Sequence, residues 1–571
     1  MKNQELAQIF YEIAEFLEME EVPFKPQAYR KAAQFLEGLE EDIESIYEKG
    51  GEKALEDLPS IGRNIADKIR EYIEIGKIKY YLELKDKTPI NIEELTAVEG
   101  LGPKTVRILY NKLGIRNLKD LEKAAKEHKI APLFGLGEKT EKNILEGIKF
   151  LKRSKGRFLL GRILPVVSEI EKKLKSLKEV DQISVAGSVR RKKETIGDVD
   201  FLITSKNPEK VMDFFVSLPG VVKVWGKGQT KSSVRMKEGF NIDIRVIQKK
   251  SYGSALQYFT GSKEHNIITR RLAISKGLKL SEYGVFKGKK MIAGWSEKGV
   301  YRSLGLSFIE PELRENRGEV EAAQKGKLPK LVKLEDIKGD LHCHSSWNGG
   351  ENSILELAET AKNMGYLYLG IADHTKFLRI ENGLDERKLS QQRKEIDKLN
   401  LEFENFKILQ GAETNILNDG ALDIRDNALE KLDYAIAGVH SNLKMPKEKM
   451  TERIITAMKN PYVKIISHPT GRLLKRREEY LIDFEKILRA AKEFNVVLEV
   501  NSFPERLDLN DVNIKLAIEA GVRLIINTDS HHKGHLDYME LGVNQARRGW
   551  AEKNNIINTY SLKDLIKVFQ D

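Results

Sequence analysis

Two carboxylates two residues apart, Asp198 and Asp200, close the stretch Gly187–Asp200, which reads GSVRRKKETIGDVD. From Asp198 the run Asp-Val-Asp-Phe-Leu-Ile has the apolar, β-branched character of a strand. Residues i and i+2 of a strand share a face, so both carboxylates project together from its start. They repel each other, and a divalent cation between them removes the conflict. Mg²⁺ takes oxygen ligands and shares them with substrate phosphates. A third carboxylate, Asp243, sits in another strand-like run, Asn-Ile-Asp-Ile-Arg-Val-Ile. Upstream, Gly187-Ser188 offers a close-approach turn and Arg190-Arg191 two guanidiniums, a set suited to a triphosphate. The chemistry this allows is in-line phosphoryl transfer with two Mg²⁺ or Mn²⁺ ions. One ion lowers the pKa of an attacking hydroxyl, and the other neutralises the leaving pyrophosphate. A lone D-x-D is more often an acidic turn; the whole combination is far more specific.

A second set lies beyond Asp340: His342, His344, His374, His440, His468 and His531, with His532 as a bystander. Each of the first six follows or ends a strand-like run, and helical segments such as Ile354–Met364 and Asp483–Phe494 alternate with those runs. That is the βα pattern of a parallel barrel, whose reactive residues gather at the C-terminal strand ends. His342/His344 and Asp529/His531 have the spacing that aims two ligands one way, leaving Cys343 facing away and packed. One such histidine is usually structural. Six, with Glu413 and Asp529, call for metals, and mixed imidazole and carboxylate ligands suit Zn²⁺, Mn²⁺ or Fe²⁺.

The chain of 571 residues predicts several domains. Its net charge of +11 is unevenly spread: residues 101–300 hold 43 Lys and Arg against 20 Asp and Glu, residues 1–100 hold 13 against 23. The basic stretch favours a polyanionic partner such as duplex DNA, and the acidic lobe counts against strong electrostatic binding by itself. With one cysteine no intrachain disulfide forms, which suits the cytoplasm. No apolar run approaches a membrane span, and the N-terminus is acidic, unlike a signal peptide.

Residues 1–85 read as helices, with Leu6, Ile9, Phe10, Ile13, Phe16 and Leu17 at helical spacing. Leu58-Pro59-Ser60-Ile61-Gly62 has the form of a helix–hairpin–helix, whose backbone N–H groups can hold a phosphate. Further copies surround Gly100 and Gly102, and Gly135 and Gly137. Three hairpins predict sequence-independent DNA binding through backbone contacts. Ser60 stands where the motif usually has glycine, which weakens the first copy. Residues 318–333 are charged, lack sustained periodicity and read as a linker.

GSVRR, GDVD and DIR together closely resemble the palm of family X DNA polymerases, the polymerase beta class. Tyr252–Ser262, YGSALQYFTGS, is similar to that family's thumb signature. The histidine set resembles, residue by residue, the PHP phosphoesterase domain that bacterial and archaeal members carry. The resemblance therefore covers essentially the whole chain. It implies a multidomain α+β and α/β fold: a helical lyase-like lobe over 1–85, fingers with hairpins over 86–150, a nucleotidyltransferase palm over 151–250, a thumb over 251–317, and a PHP-type distorted (β/α)7 barrel over 334–571. It implies Asp198, Asp200 and Asp243 as catalytic metal ligands, with Gly187, Ser188, Arg191 and Gly197 at the nucleotide. Tyr258, Phe259 and Gly261 would line the sugar pocket and disfavour a 2′-hydroxyl; Asn266 and Arg270 would touch the new base pair. His342, His344, Glu413 and Asp529 would hold one metal. Glu413 would bridge to a second held by His440 and His468, and His374 and His531 would belong to a third. The family usually has Asp where Gly349 stands, and Asn348 before it is a weak substitute.

The resemblance also matches Lys68 to a lysine that forms a Schiff base with an abasic-site sugar, with Lys25 and Tyr29 nearby in the same lobe. That chemistry needs a lowered pKa, and the surrounding acidity argues against one. The implied protein is a cytoplasmic, monomeric repair polymerase. It uses gapped or primed duplex DNA and dNTPs, and its PHP domain removes 3′-terminal nucleotides and, as in family members, incises abasic sites. Two rivals remain at this level: a catalytically dead DNA-end scaffold, and a polymerase whose PHP half is impaired or is a small-molecule phosphatase.

Overall fold

The computed structural model describes every residue except 1, 38, 40, 59, 60, 97, 99, 100, 134, 155, 379–381, 476 and 571. The chain forms two compact units, each discontinuous in sequence. The first comprises Met1–Phe158, Lys173–Val185 and Gly197–Leu306; the second comprises Leu159–Lys172, Ala186–Ile196 and Ser307–Asp571.

The first unit opens with helices. In α1 (Lys2–Met19) the apolar stripe read from the sequence is buried at Leu6, Phe10, Ile13, Phe16 and Leu17, against residues such as Ala32 and Leu36 of α2 (Lys25–Glu37). Three hairpins then repeat one local pattern. The N–H groups of Ile61, Leu101 and Leu136 donate to the carbonyls of Leu58, Val98 and Leu133, at 3.1, 3.0 and 3.0 Å. Each turn feeds a helix: α3 (Arg63–Ile75), α4 (Pro103–Leu113) and α5 (Gly137–Ser154). Burial of Ile65 and Ile69, and of Val106 and Leu109, fixes α3 and α4 on one core.

A five-stranded sheet follows: β1 (Val180–Val185), β2 (Asp198–Ser205), β3 (Val221–Lys227), β4 (Lys231–Met236) and β5 (Asn241–Val246). Its order is β1-β2-β5-β4-β3, with β2 and β5 parallel and the other neighbours antiparallel. In β2, Val199, Phe201 and Ile203 bury one face. That alternation places Asp198 and Asp200 on the other side. Beyond it come α6 (Tyr252–Thr260), α7 (Lys263–Ser275) and a small antiparallel sheet of β6 (Lys279–Ser281), β7 (Gly284–Lys287) and β8 (Lys290–Ala293).

The second unit is built on parallel strands: β9 (Gly339–Cys343), β10 (Tyr368–Ile371), β11 (Lys407–Gln410), β12 (Glu413–Asn415), β13 (Ala435–Gly438), β14 (Val463–Ile466), β15 (Val497–Asn501) and β16 (Leu524–Asn527). They pair in sequence order within two sheets, β9 to β11 and β12 to β16. β11 leads into β12 across Gly411-Ala412, and His374, just past β10, bridges Glu413. At the other seam Cys343 of β9 bridges Ser530, just past β16, and the Leu341 N–H donates to Asn527 Oδ1 at 3.1 Å. Helices alternate with the strands, among them Ile354–Asn363, Glu386–Leu399 and Phe484–Glu493. Every strand but the first residue of β11 and Lys464 of β14 is buried throughout, as expected when both faces are covered. Gly370 and Gly411 leave room for the Tyr434 ring, whose hydroxyl donates to the Leu341 carbonyl at 2.6 Å.

The stretch read as a linker contains a helix, Glu319–Gln324, with Val320 and Ala323 buried. Six residues are too few to register as a period. The second unit also claims Ala186–Ile196. Arg548, 3% exposed, donates to the Arg191 carbonyl at 2.7 Å and pairs with Glu315 and Asp511. Arg472 pairs with Glu194 at 2.7 Å. Removing a buried partner strands the opposite charges, at about 3–5 kcal/mol. Arg548→Ala should therefore lower the urea midpoint of unfolding clearly; an unchanged midpoint would show that the network contributes nothing.

Candidate active sites

The β2–β5 register sets Asp200 directly opposite Asp243, with Asp198 opposite Asn241. Three carboxylates thus share two neighbouring parallel strands. Burial, then Asp198, then Asp243 push the Asp200 carboxyl up to about 7. The Asp243 carboxylate accepts from Ser233 Oγ at 2.5 Å and pairs with Lys231 Nζ at 2.8 Å. Ser233 is its register partner on β4. The sequence reading missed Ser233 and Lys231. An oxygen-only donor set of this kind fits Mg²⁺ or Mn²⁺.

Tyr258 and Phe259 end α6, half-buried and edge to face at 5.1 Å. The Arg245 guanidinium lies over the Phe259 ring at 4.8 Å. Asn266 donates to the Tyr258 carbonyl at 2.7 Å and accepts from Gln257 at 2.8 Å, which fixes the end of α6. Gly261 there has φ of +67°, a conformation that favours glycine. Arg270 lies one turn after Asn266 on α7, so the two share a helix face. In the first unit Gly197 directly precedes β2. In the second unit Gly187 and Ser188 open a one-turn helix, Gly187–Arg190, with Gly187 at φ +61°. Arg191, half-buried, turns its Nε to Glu315 at 3.0 Å.

Gly62 and Gly102 cap α3 and α4 with nearly identical backbones, φ/ψ −89°/169° and −87°/168°. Neither cap has a side-chain partner, and space is open where a Cβ would stand. Gly135 and Gly137 differ, at φ +82° and +59°, but are equally open. Gly100 and Ser60 lie outside the described residues.

Lys68 corrects an expectation. Its pKa is lowered, not held up by the acidic surroundings: partial burial outweighs Asp67 and Glu71, and Lys25 adds to the effect. Its ammonium donates to the Asn64 carbonyl and lies 5.0 Å from the Tyr80 ring centre and 6.0 Å from that of Tyr29. Formal charge counted along the sequence did not register those rings.

In the second unit the histidines converge on Glu413, 1% exposed. Its Oε2 lies 3.2 Å from His342 Nε2, 3.6 Å from His344 Nε2 and 2.8 Å from His374 Nδ1; its Oε1 lies 3.2 Å from His440 Nε2 and 3.0 Å from His468 Nε2. Asp529 Oδ1 stands 3.2 Å from His344 Nε2 and 3.8 Å from His342 Nε2. Three sets bring ligand atoms within 4.8 Å of one another: His342, His344, Asp529; His374, Glu413, His440; and His344, His374, His531. Among the described residues, His342 Nε2, both His344 ring nitrogens and His374 Nδ1 are buried and make no well-aligned hydrogen bond, the carboxylates being their nearest neighbours. Orphaned imidazole nitrogens facing carboxylates are what a metal site needs. Burial works to raise the Glu413 and Asp529 carboxyls, yet the imidazoles, His342 foremost, hold both well below the ordinary range. Burial and then Arg506 bring His468 down to about 4. His468 and Asp529 also sit at φ of +30° and +55°, rare for such residues and concentrated at functional sites.

A supporting shell escaped the sequence reading. Glu499 on β15, fully buried, contacts His342 Nδ1 at 2.7 Å and accepts the His468 N–H at 2.8 Å. Such partners orient a metal-binding imidazole. A lone acid in an apolar strand was its signal. Asp373, which burial pushes up to about 7, accepts from Ser345 and Gln392. Asp340 accepts from Thr528. Arg506 lies 3.4 Å from Asp529 Oδ2. His535 was also passed over; its Nδ1 accepts the His531 N–H at 3.3 Å. Cys343 is buried. At the departure from the usual pattern, Gly349 has φ +62° and Asn348 Oδ1 accepts the His374 N–H at 3.0 Å. The His344, His374, His531 set is therefore all imidazole. Among the described residues no helix is long and apolar enough to cross a membrane.

Family models match along the first three-fifths of the chain: a helix-hairpin-helix domain over residues 1–78, a SAM-like helix-hairpin-helix tandem over 92–149, the DNA polymerase beta palm over 164–227 and the DNA polymerase beta thumb over 255–315. Those parts define a polymerase beta-type nucleotidyltransferase. DNA polymerase/3′-5′ exonuclease PolX of Bacillus subtilis (strain 168) is 39% identical over 570 residues, covering 99% of each chain. A probable phosphatase of Thermoanaerobacter sp. (strain X514) is 34% identical over 167 residues, 28% of this chain and 66% of that one. DNA polymerase lambda of Rattus norvegicus is 26% identical over 317 residues, 50% of this chain and 52% of that one. The chain belongs to the family X DNA polymerases.

Asp200 gives a pH test. Its folded pKa, about 7, exceeds the ordinary 3.8, so the folded state binds this proton more tightly. The associated stability is fully present below the unfolded pKa and is lost as pH rises through the folded one. In EDTA-treated protein, Asp200→Asn should raise the melting temperature at pH 8 and do so much less at pH 5. An equal shift at both, by calorimetry, would contradict the raised pKa.

Proposed function

We propose that this chain is a repair DNA polymerase that fills short gaps at the β2–β5 carboxylates and degrades DNA 3′-5′ at the Glu413 cluster. The polymerase half rests on one observation above others: Asp200 stands opposite Asp243, with Asp198 on the same face. Bound at these carboxylates and at the imidazole cluster, divalent ions supply charge neutralisation and a lowered pKa for the attacking oxygen. Asp198, Asp200 and Asp243 would hold Mg²⁺ or Mn²⁺. Lys231 and Ser233 keep Asp243 fixed, so the ligand set is ordered before substrate arrives.

The remaining residues position. The Gly187-Ser188 turn lets backbone N–H groups approach a triphosphate, with Arg191 and Gly197 alongside in sequence. Tyr258, Phe259 and Gly261 crowd the sugar and disfavour a 2′-hydroxyl, and Asn266 and Arg270 reach the minor-groove edge of the new pair. Open backbone N–H groups at Gly62, Gly102, Gly135 and Gly137 hold DNA phosphates without reading sequence.

The second unit is read as a PHP-type distorted (β/α)7 barrel. Counting the continuous β11–β12 run as one strand gives seven. His342, His344, Glu413 and Asp529 would hold one ion, and Glu413, His440 and His468 a second. Zn²⁺, Mn²⁺ and Fe²⁺ all suit these donors. His374 and His531, with His344, make the third position. Removal of 3′-terminal nucleotides is the main reaction, and abasic-site incision draws on the same groups. The protein works as a cytoplasmic monomer on gapped or primed duplexes with dNTPs.

On a labelled primer annealed in a gapped duplex with Mn²⁺, Asp243→Ala should abolish extension and leave shortening intact. His440→Ala should do the reverse. Loss of both activities in one folded variant would overturn the separation of sites. The lowered pKa of Lys68, beside Lys25 and Tyr29, supports an abasic-site lyase in the first lobe. Borohydride should trap protein on an incised abasic substrate, and Lys68→Ala should lose at least tenfold of that product. Equal trapping would assign the lyase elsewhere or remove it.

A further inference from the structure

Beside the imidazole cluster lie three aromatic rings, those of Phe503, His535 and Tyr538, that contact one another. The Phe503 ring stands 5.5 Å from those of His535 and Tyr538, nearly perpendicular to both at 83° and 90°. His535 and Tyr538 stack at 5.0 Å and 15°. All three are half-exposed. Phe503 and Tyr538 pack on one another and on His535.

The group is tied to the ligands at two points. The Phe503 N–H donates to Asn501 Oδ1 at 3.0 Å, and Asn501 Nδ2 donates to Asp529 Oδ2 at 3.1 Å. His535 Nδ1 accepts the N–H of His531, whose ring stacks on His344 at 4.2 Å. Arg506, three residues past Phe503, sets a guanidinium 3.4 Å from Asp529 Oδ2. A flat, partly exposed ring surface thus adjoins both a cation and the site read here as cleaving a phosphodiester.

We propose that Phe503, His535 and Tyr538 form a stacking subsite for the base of the 3′-terminal nucleotide. Every base has a π-face, so such a platform binds any of the four. It places the base to one side while the phosphodiester reaches the Glu413 cluster. The inference rests on the exonuclease reading of that cluster.

The test uses full-length, Mn²⁺-loaded protein and two single-stranded oligonucleotides, one ending in thymidine and one in a tetrahydrofuran abasic nucleotide. The wild type should remove the thymidylate with a kcat/KM roughly tenfold or more above that for the abasic end, the scale of one base–aromatic stack. Phe503→Ala and Tyr538→Ala should each pull that ratio towards one by raising KM for the normal end, leaving the abasic end unchanged. Tyr538→Phe keeps the ring and should keep the ratio. Primer extension by each variant reports folding. A ratio already near one in the wild type, or one unmoved by the alanine variants, would overturn the proposal. So would an equal loss on both oligonucleotides, which would make the rings a prop for the cluster. His440→Ala separates the underlying reading: if it still degrades both oligonucleotides, the nuclease lies elsewhere and the subsite falls with it.

Discussion

Like charges and bare imidazole nitrogens crowded into small volumes carry a cost that the rest of each unit has to hold in place. In the first unit three carboxylates share two neighbouring strands, and one is driven towards neutrality near pH 7. In the second, five imidazoles surround the buried Glu413 carboxylate, and several of their nitrogens make no well-aligned hydrogen bond. Neither arrangement is favourable without a cation. What keeps them assembled is covalent and geometric. The β2–β5 register cannot slip by one residue without turning Phe201 and Ile203 out of the core. The parallel strands of the second unit, buried on both faces, aim their ends at one region.

Much of this was legible in the sequence because it obeys short periods. Asp198 and Asp200, or His342 and His344, declare a shared face by the i, i+2 rule. The strand-ending histidines announce a common rim once a βα alternation is seen. The hairpins repeat one spacing, and all three adopt the same turn hydrogen bond. Relations across long separations were not legible. Nothing local says that Asp200 stands opposite Asp243. A single Glu499 in an apolar strand looks like an alternating polar position until His342 is seen against it. Lys68 shows the limit of counting charge. Acidic neighbours raise a lysine pKa, but partial burial outweighs them here. Arg191 shows another limit, since a motif suggests a ligand and says little about rival carboxylates such as Glu315.

The loop at Asn348 and Gly349 is instructive for the same reason. The Asn348 side-chain oxygen is engaged by the His374 N–H. Gly349 lies in the left-handed region, and six histidines gather around Glu413 and Asp529.

The two compact units are interleaved along the chain, which passes between them five times, after Phe158, Lys172, Val185, Ile196 and Leu306. Evolution by appending one ready-made domain to another leaves a single junction. Here the second unit includes two short pieces from the first half of the sequence, Leu159–Lys172 and Ala186–Ile196, and holds the latter through Arg472 and Arg548. Neither unit can therefore be released whole by a single cut, and gene fusion or fission at the 318–333 stretch would separate fragments rather than modules.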